Sequence, residues 1–201
     1  MATRYDPAQL KELMLQMVET ELGGEQIYRT ALKCAINEDL KKEWEEYLEQ
    51  TLHHQEVITG ACQALGIDAS EETPGRAVVR HIGKSLVKAM EMALAAGEPA
   101  AAELVACECV VLGETKDHSN WELLGRVGEK ATGEEGKTLR AAYEEVEQEE
   151  DHHLFHTQVC MRELWIQALG MPALLPPPEE EKKVETAIGA SRAEQARGEM
   201  L

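Results

Sequence analysis

Long apolar runs are missing from this chain of 201 residues: no stretch approaches the roughly 20 consecutive apolar residues of a membrane span. Its first residues, MATRYDPAQL, also lack the apolar core of a secretory signal. No membrane partner is expected, and the default address is cytoplasmic. Positive charge is scarce too. Lys and Arg total 20 against 38 Asp and Glu, a formal net charge of −18, which opposes binding to nucleic acid or anionic lipid and favours cations. No segment alternates apolar and polar residues as a half-buried strand does. A disulfide framework is excluded as well, because the five cysteines, Cys34, Cys62, Cys107, Cys109 and Cys160, are odd in number and lie in helix-like segments. They read as reduced thiols packed as small apolar residues. Cys107 and Cys109 make a poor metal pair, since residues two apart on a helix point about 200° apart.

What remains is helix. The length suits one buried core, so a single domain over residues 1–172 is expected, followed by a Pro-rich charged tail over 173–201 that starts PPPEEEKK and is mobile or weakly helical. Asp6-Pro7 opens a first helix that runs to about Ala35, and Asn37-Glu38-Asp39 turns the chain into a second that ends at Gly66. A third segment, RAVVRHIGKSLVKAMEMALAAG, reads as a connecting helix closed by Gly97. Pro99 starts the next helix, to about Gly128. The stretch KATGEEG reads as a loop before a last helix from about Thr138 to Leu169.

Each of the four long helices carries a seam of inward positions spaced four and three apart, and polar groups interrupt every seam near its middle. In the first helix Leu10, Met14 and Met17 lead to Glu21, with Glu25 one turn on. In the second, Trp44, Tyr47 and Thr51 lead to His54. A seam through Cys107, Val110, Glu114, His118 and Trp121 orders the fourth segment, with Glu108 as a rival inward acid, and the last helix places Glu150 and His153 between Val146 and Thr157. Tyr28, Trp44, Tyr47, Trp121 and Tyr143 read as seam packing. By the same geometry Glu49, His53, Glu56, Glu149, His152 and His156 fall on a solvated or dimer-facing surface, with a second metal site as the alternative.

An internal repeat selects Glu114. An offset of 93 residues carries Glu21 to Glu114, Glu25 to His118 and Tyr28 to Trp121; an offset of 99 carries Thr51 to Glu150 and His54 to His153. Two helix hairpins related in this way assemble into a four-helix bundle with the polar groups at matched depth. A lone carboxylate there would have to find a partner or take up a proton, whereas a pair of divalent ions satisfies several at once. Oxygen and imidazole donors suit iron and manganese, with zinc possible.

Glu21, Gly24 and Tyr28, a second-helix His54, and Glu150-x-x-His153 together resemble the ferritin-like di-iron carboxylate superfamily. The stretches ITGACQALGID and SLVKAMEMALAAGEPAAAELVA are most similar to its YciE/YciF-type stress-response branch, and the spacing of Glu21 to Tyr28 to rubrerythrin-type domains. The resemblance implies an all-α, ferritin-like four-helix bundle of two hairpins with a connecting helix, a homodimer, and two metal ions, iron or manganese. It further implies Fe(II) and O2 or peroxide as partners, with ferroxidase- or peroxidase-like oxidation in an oxidative or general stress response. In that scheme Glu21 and Glu114 are terminal carboxylates, Glu150 the bridge, and His54 and His153 one nitrogen ligand each. No Cys-x-x-Cys pair is present for the electron-transfer module of full rubrerythrins, so an external reductant is expected.

One residue departs from the pattern. Thr51 stands where the family carries a second-helix Glu, beside Gln50, which can hydrogen-bond but bridges metals poorly. Two expectations follow: Glu25 and His118 supply the missing ligation one turn away, or the bundle is a non-catalytic stress or partner-binding protein with a degenerate site.

Overall fold

The computed structural model describes residues 5–173, so the expected tail, from residue 174 on, lies outside the described residues. Among those described there are five helices and no strand: α1 Pro7–Cys34, α2 Glu38–Ala64, α3 Pro74–Ala96, α4 Pro99–Lys130 and α5 Gly133–Ala168. No helix among them is long and apolar enough to cross a membrane.

The helix starts follow from side-chain caps. Asp6 Oδ1 accepts from the amides of Ala8 and Gln9 with Pro7 in the first turn, Asn37 Oδ1 from Asp39 and Leu40, and Thr73 Oγ1 from Arg76. Each cap satisfies amides that have no partner inside the helix. Glu103 of α4 clasps the α1–α2 turn by accepting from the amides of Ile36 and Asn37 at 2.8 and 2.6 Å. Between α3 and α4, Gly97 sits at φ 80°, a left-handed conformation that costs glycine no Cβ clash, and Pro99 restarts the helix.

The α4–α5 connection corrects the expected loop KATGEEG. Only Ala131 and Thr132 separate the two helices. Glu134 and Glu135 occupy the first turn of α5, where negative charge suits the helix dipole, and Ala131 is itself buried. The tight turn also draws α4 and α5 together: a Cβ on Gly125 would lie 2.7–2.9 Å from three atoms of the Tyr143 ring. Gly125→Ala should therefore cost about 1–3 kcal/mol by overpacking, read as a melting temperature lower by roughly 2–12 °C. A change within error would mean that the ring swings aside freely.

Helix α1 packs on α2, α3 and α4, while α5 packs on α4 and α2. The result is a helical bundle in which α3 crosses the outside of α1 and α4. Its interior has two apolar plugs. One gathers Leu10, Met14, Met17, Ile58, Leu124 and Leu139; the other gathers Ile27, Ala31, Leu40, Trp44, Met90 and Val110. Along α1 and α2 the plugs leave a gap at Glu21 and at Thr51 to His54, and the polar layer of the bundle lies there.

Candidate metal centre

Six ionisable side chains from all four long helices meet between the plugs. Glu21, His54, Glu114, Asp117, Glu150 and His153 are each buried, with 5% exposure or less. His54 Nδ1 lies 2.9 Å from Glu150 Oε1 and 3.9 Å from Glu21 Oε1; His153 Nδ1 lies 3.6 Å from Glu114 Oε2 and 3.8 Å from Glu150 Oε1. The two imidazoles stack with ring centres 5.6 Å apart. Ligand atoms of His54, Glu150 and His153 fall within 4.8 Å of one another, and so do those of Glu21, Asp117 and Glu150. Glu150 belongs to both groups.

Five of the six keep one buried atom without a hydrogen bond, Glu21 Oε2, Glu114 Oε2, Asp117 Oδ1, Glu150 Oε2 and His153 Nδ1, while His54 Nδ1 lies against Glu150 Oε1. Unpartnered buried polar atoms are rare in folded proteins, and five in one layer, beside two groups of clustered ligand atoms, mark a place that could hold a cation. The far sides of the imidazoles are held. His54 Nε2 meets Glu149 Oε2 at 2.8 Å, and His153 Nε2 meets Gln50 Oε1 at 2.7 Å. An imidazole whose outer nitrogen is fixed by an acceptor presents the other as a lone-pair donor, the usual arrangement of a metal-bound histidine.

The electrostatics agree. Burial pushes the Glu21 carboxyl well up, the charge of Asp117 adds to this, and the hydrogen bond from Trp121 Nε1 to Glu21 Oε1 at 2.8 Å offsets part of it. Asp117 is raised by burial and then by Glu150 and Glu114; Glu150 by burial and then by Glu114 and Glu21. Burial lowers His54. Burial and mutual repulsion thus favour the protonated acids over their anions, and divalent ions would displace such protons.

Two expected site residues are not brought into this group. Glu25 bonds Arg29 Nε at 2.8 Å and Gln55 Nε2 at 3.3 Å, and the Arg29 guanidinium holds its carboxyl below the usual range. His118 Nε2 pairs with Asp151 Oδ1 at 2.6 Å and packs against Phe155. Each stands four residues beyond an inward acid, Glu21 or Glu114, which sets it about 40° round the helix toward the flank of the bundle. The expectation that they replace the carboxylate missing at Thr51 is therefore corrected.

Asp117 takes that place, and sequence reasoning missed it. A signal existed: Glu114-x-x-Asp117 has the spacing of Glu150-x-x-His153, and an offset of 93 carries Gly24 to Asp117. Thr51 itself cannot contribute, because its hydroxyl donates to Tyr47 O at 2.8 Å within its own helix. Glu108, the rival inward acid, accepts instead from Trp165 Nε1 at 3.0 Å. Glu149 departs from the solvated face assigned to it, since its long side chain reaches back to His54.

No family model, curated protein or solved structure matches this chain.

Proposed function

We propose that the chain is a ferritin-like dimetal carboxylate protein that holds two iron or manganese ions and carries out O2- or peroxide-linked oxidation, as a homodimer in a stress response. The observation that carries this reading is the position of Glu150, whose carboxylate belongs to both groups of candidate ligands, with unpartnered buried atoms on Glu21, Glu114, Asp117 and His153 around it. His54 and His153 would give their nitrogens to one ion and Glu21 and Asp117 oxygens to the other, with Glu114 beside His153 and Glu150 shared by both. A bound redox-active pair supplies electrons and an open coordination position for the oxidant.

The chain's own residues then set the conditions. The two apolar plugs border the polar layer on either side. Trp121 Nε1 fixes the orientation of Glu21. Burial, followed by the charge of Glu114, raises the Tyr28 phenol well above its ordinary range, so it keeps its proton beside the carboxylates.

Elemental mass spectrometry on protein purified without an affinity tag tests the reading, beside the double variant Glu150→Ala, His153→Ala. About two iron or manganese ions per chain, lost in the variant and accompanied by O2 or peroxide consumption in the wild type, are expected. The loss of the α2 carboxylate at Thr51 favours a second reading, a degenerate bundle that binds protein partners. Absence of metal even after anaerobic Fe(II) addition would select it.

The outer partners give a graded check. Glu149→Ala should weaken metal binding by about 10- to 100-fold while leaving the number of ions per chain unchanged, as read by titration calorimetry with Mn(II). An unchanged affinity would mean that Glu149 does not orient His54.

A further inference from the structure

A second set of donors lies beyond the central cluster and shares none of its residues. His156 and Cys160 stand four apart on α5 and so project from one face, toward Glu43 of α2. His156 Nδ1 is 2.6 Å from Glu43 Oε2 and 3.1 Å from the Tyr47 hydroxyl. A carboxylate oxygen of Glu43, a ring nitrogen of His156 and Sγ of Cys160 all fall within 4.8 Å of one another. Glu43 is 6% exposed and the His156 side chain 15%, so a carboxylate is buried here under a rim that solvent reaches. Tyr47 divides this set from the centre: its ring lies 4.4 Å from that of His153 while its hydroxyl reaches His156.

We propose that Glu43, His156 and Cys160 form a separate mononuclear site for a thiophilic divalent cation of the zinc class. One thiolate, one imidazole and one carboxylate are three protein ligands of the types that zinc takes, with the fourth tetrahedral position left to water at the exposed rim. The thiolate selects against magnesium and calcium, which take oxygen. Bond lengths of about 2.0–2.3 Å to zinc place neighbouring ligand atoms roughly 3.3–3.7 Å apart. The present spacing, 2.6 Å from His156 Nδ1 to Glu43 Oε2 and no more than 4.8 Å among the three donors, spans that range, so side-chain shifts of about 1 Å would form the site. The donor chemistry differs from that of the oxygen-rich centre, and the site is expected to load independently of it.

The test uses the full chain carrying Glu150→Ala, His153→Ala, so that signals come from this site alone. Co(II) is the probe. One Co(II) per chain with a thiolate-to-metal charge-transfer band in the near ultraviolet is expected; adding Cys160→Ser should abolish the band and weaken binding at least 100-fold, and Glu43→Gln should weaken it about tenfold. No band before the Cys160 change, or a band that survives it, overturns the proposal. Alkylation of the natural sequence gives a readout that does not depend on a Cys160 variant folding. Cys34, Cys62, Cys107 and Cys109 are buried and Cys160 is only partly buried, so iodoacetamide under native conditions reports on Cys160 first. Zn(II) should slow its modification at least tenfold by peptide mapping, and no protection would overturn the proposal.

Discussion

Metal-free Glu150→Gln protein is expected to melt at or above the temperature of the metal-free wild type, yet to lose most of the stabilisation that Mn(II) or anaerobic Fe(II) confers. The first half follows from burial. Glu150 is 2% exposed among other acids, and burial and the charges of Glu114 and Glu21 raise its pKa well above 4.5. An acid whose folded pKa is raised keeps its proton in the folded chain and releases it on unfolding. Stability from such a group is whole below about 4.5 and declines as pH rises toward the folded value. Glutamine has the shape of the protonated acid and cannot ionise, so the variant should also show a shallower loss of melting temperature between pH 5 and pH 8.

The second half follows from ligation. An ion bound to the folded state alone, at a thousandfold excess over its dissociation constant, adds about 4 kcal/mol. For a chain of this size that is roughly 8–16 °C. Glutamine is a poor bridge, so the increment should fall below about 4 °C, the equivalent of about 1–2 kcal/mol. Differential scanning fluorimetry across pH, with and without metal, reads both halves. A wild type that metal does not shift, or a variant that is shifted equally, would remove Glu150 from the proposed bridge.

Glu19→Ala should cost about 3–5 kcal/mol, the largest loss expected outside the centre. Arg76 is 5% exposed, and its Nε donates to Glu19 Oε2 at 2.9 Å while its Nη1 donates to the carbonyls of Ala69 and Glu71. Glu19 therefore anchors the start of α3, and the loop before it, onto α1. Arg80 also clasps Glu19, from Nε at 2.7 Å and Nη2 at 2.8 Å, but it is a third exposed and holds Glu72 as well. Removing Glu19 leaves Arg80 a partner at the surface and leaves Arg76 buried with an uncompensated charge.

The pH dependence has the opposite sign to that of Glu150. Burial opposes the Glu19 charge, and the guanidinium groups of Arg80 and Arg76 outweigh it, holding the carboxyl below 4.5. Its contribution is present above that value and is lost as pH falls through the folded pKa. Urea denaturation at pH 7 and at pH 3 tests both statements: the gap between wild type and variant should be wide at pH 7 and narrower at pH 3. A gap under about 1 kcal/mol at pH 7 would make this an ordinary surface pair.

Much of the framework was legible in the order of residues. Caps at Asp6 and Asn37, prolines at 7 and 99, and Gly97 mark helix ends by local chemistry, which needs no distant partner. The four-and-three spacing put Glu21, His54, Glu114, Glu150 and His153 on inward seams because the helix turns about 100° per residue whatever surrounds it. The loop before α5 was misjudged at KATGEEG, where two glycines outweighed the acidic first turn in a local reading and the burial of Ala131 lay out of sight.

By itself, then, the sequence determined an all-helical chain with acids and imidazoles at matched depth and a surface charge that favours cations. Tertiary structure decided which of them meet. Asp117 and His118 are neighbours on α4, within reach of the same seam, and only the placement of α1 and α5 sends Asp117 to Glu21 and Glu150 and His118 to Asp151. Gln50, Glu149 and His156 lie off their seams by angle, yet their side chains are long enough to reach around the helix to a partner. Periodicity specifies the direction of a Cβ; the end of a long polar side chain goes where an acceptor, a donor or an ion stands.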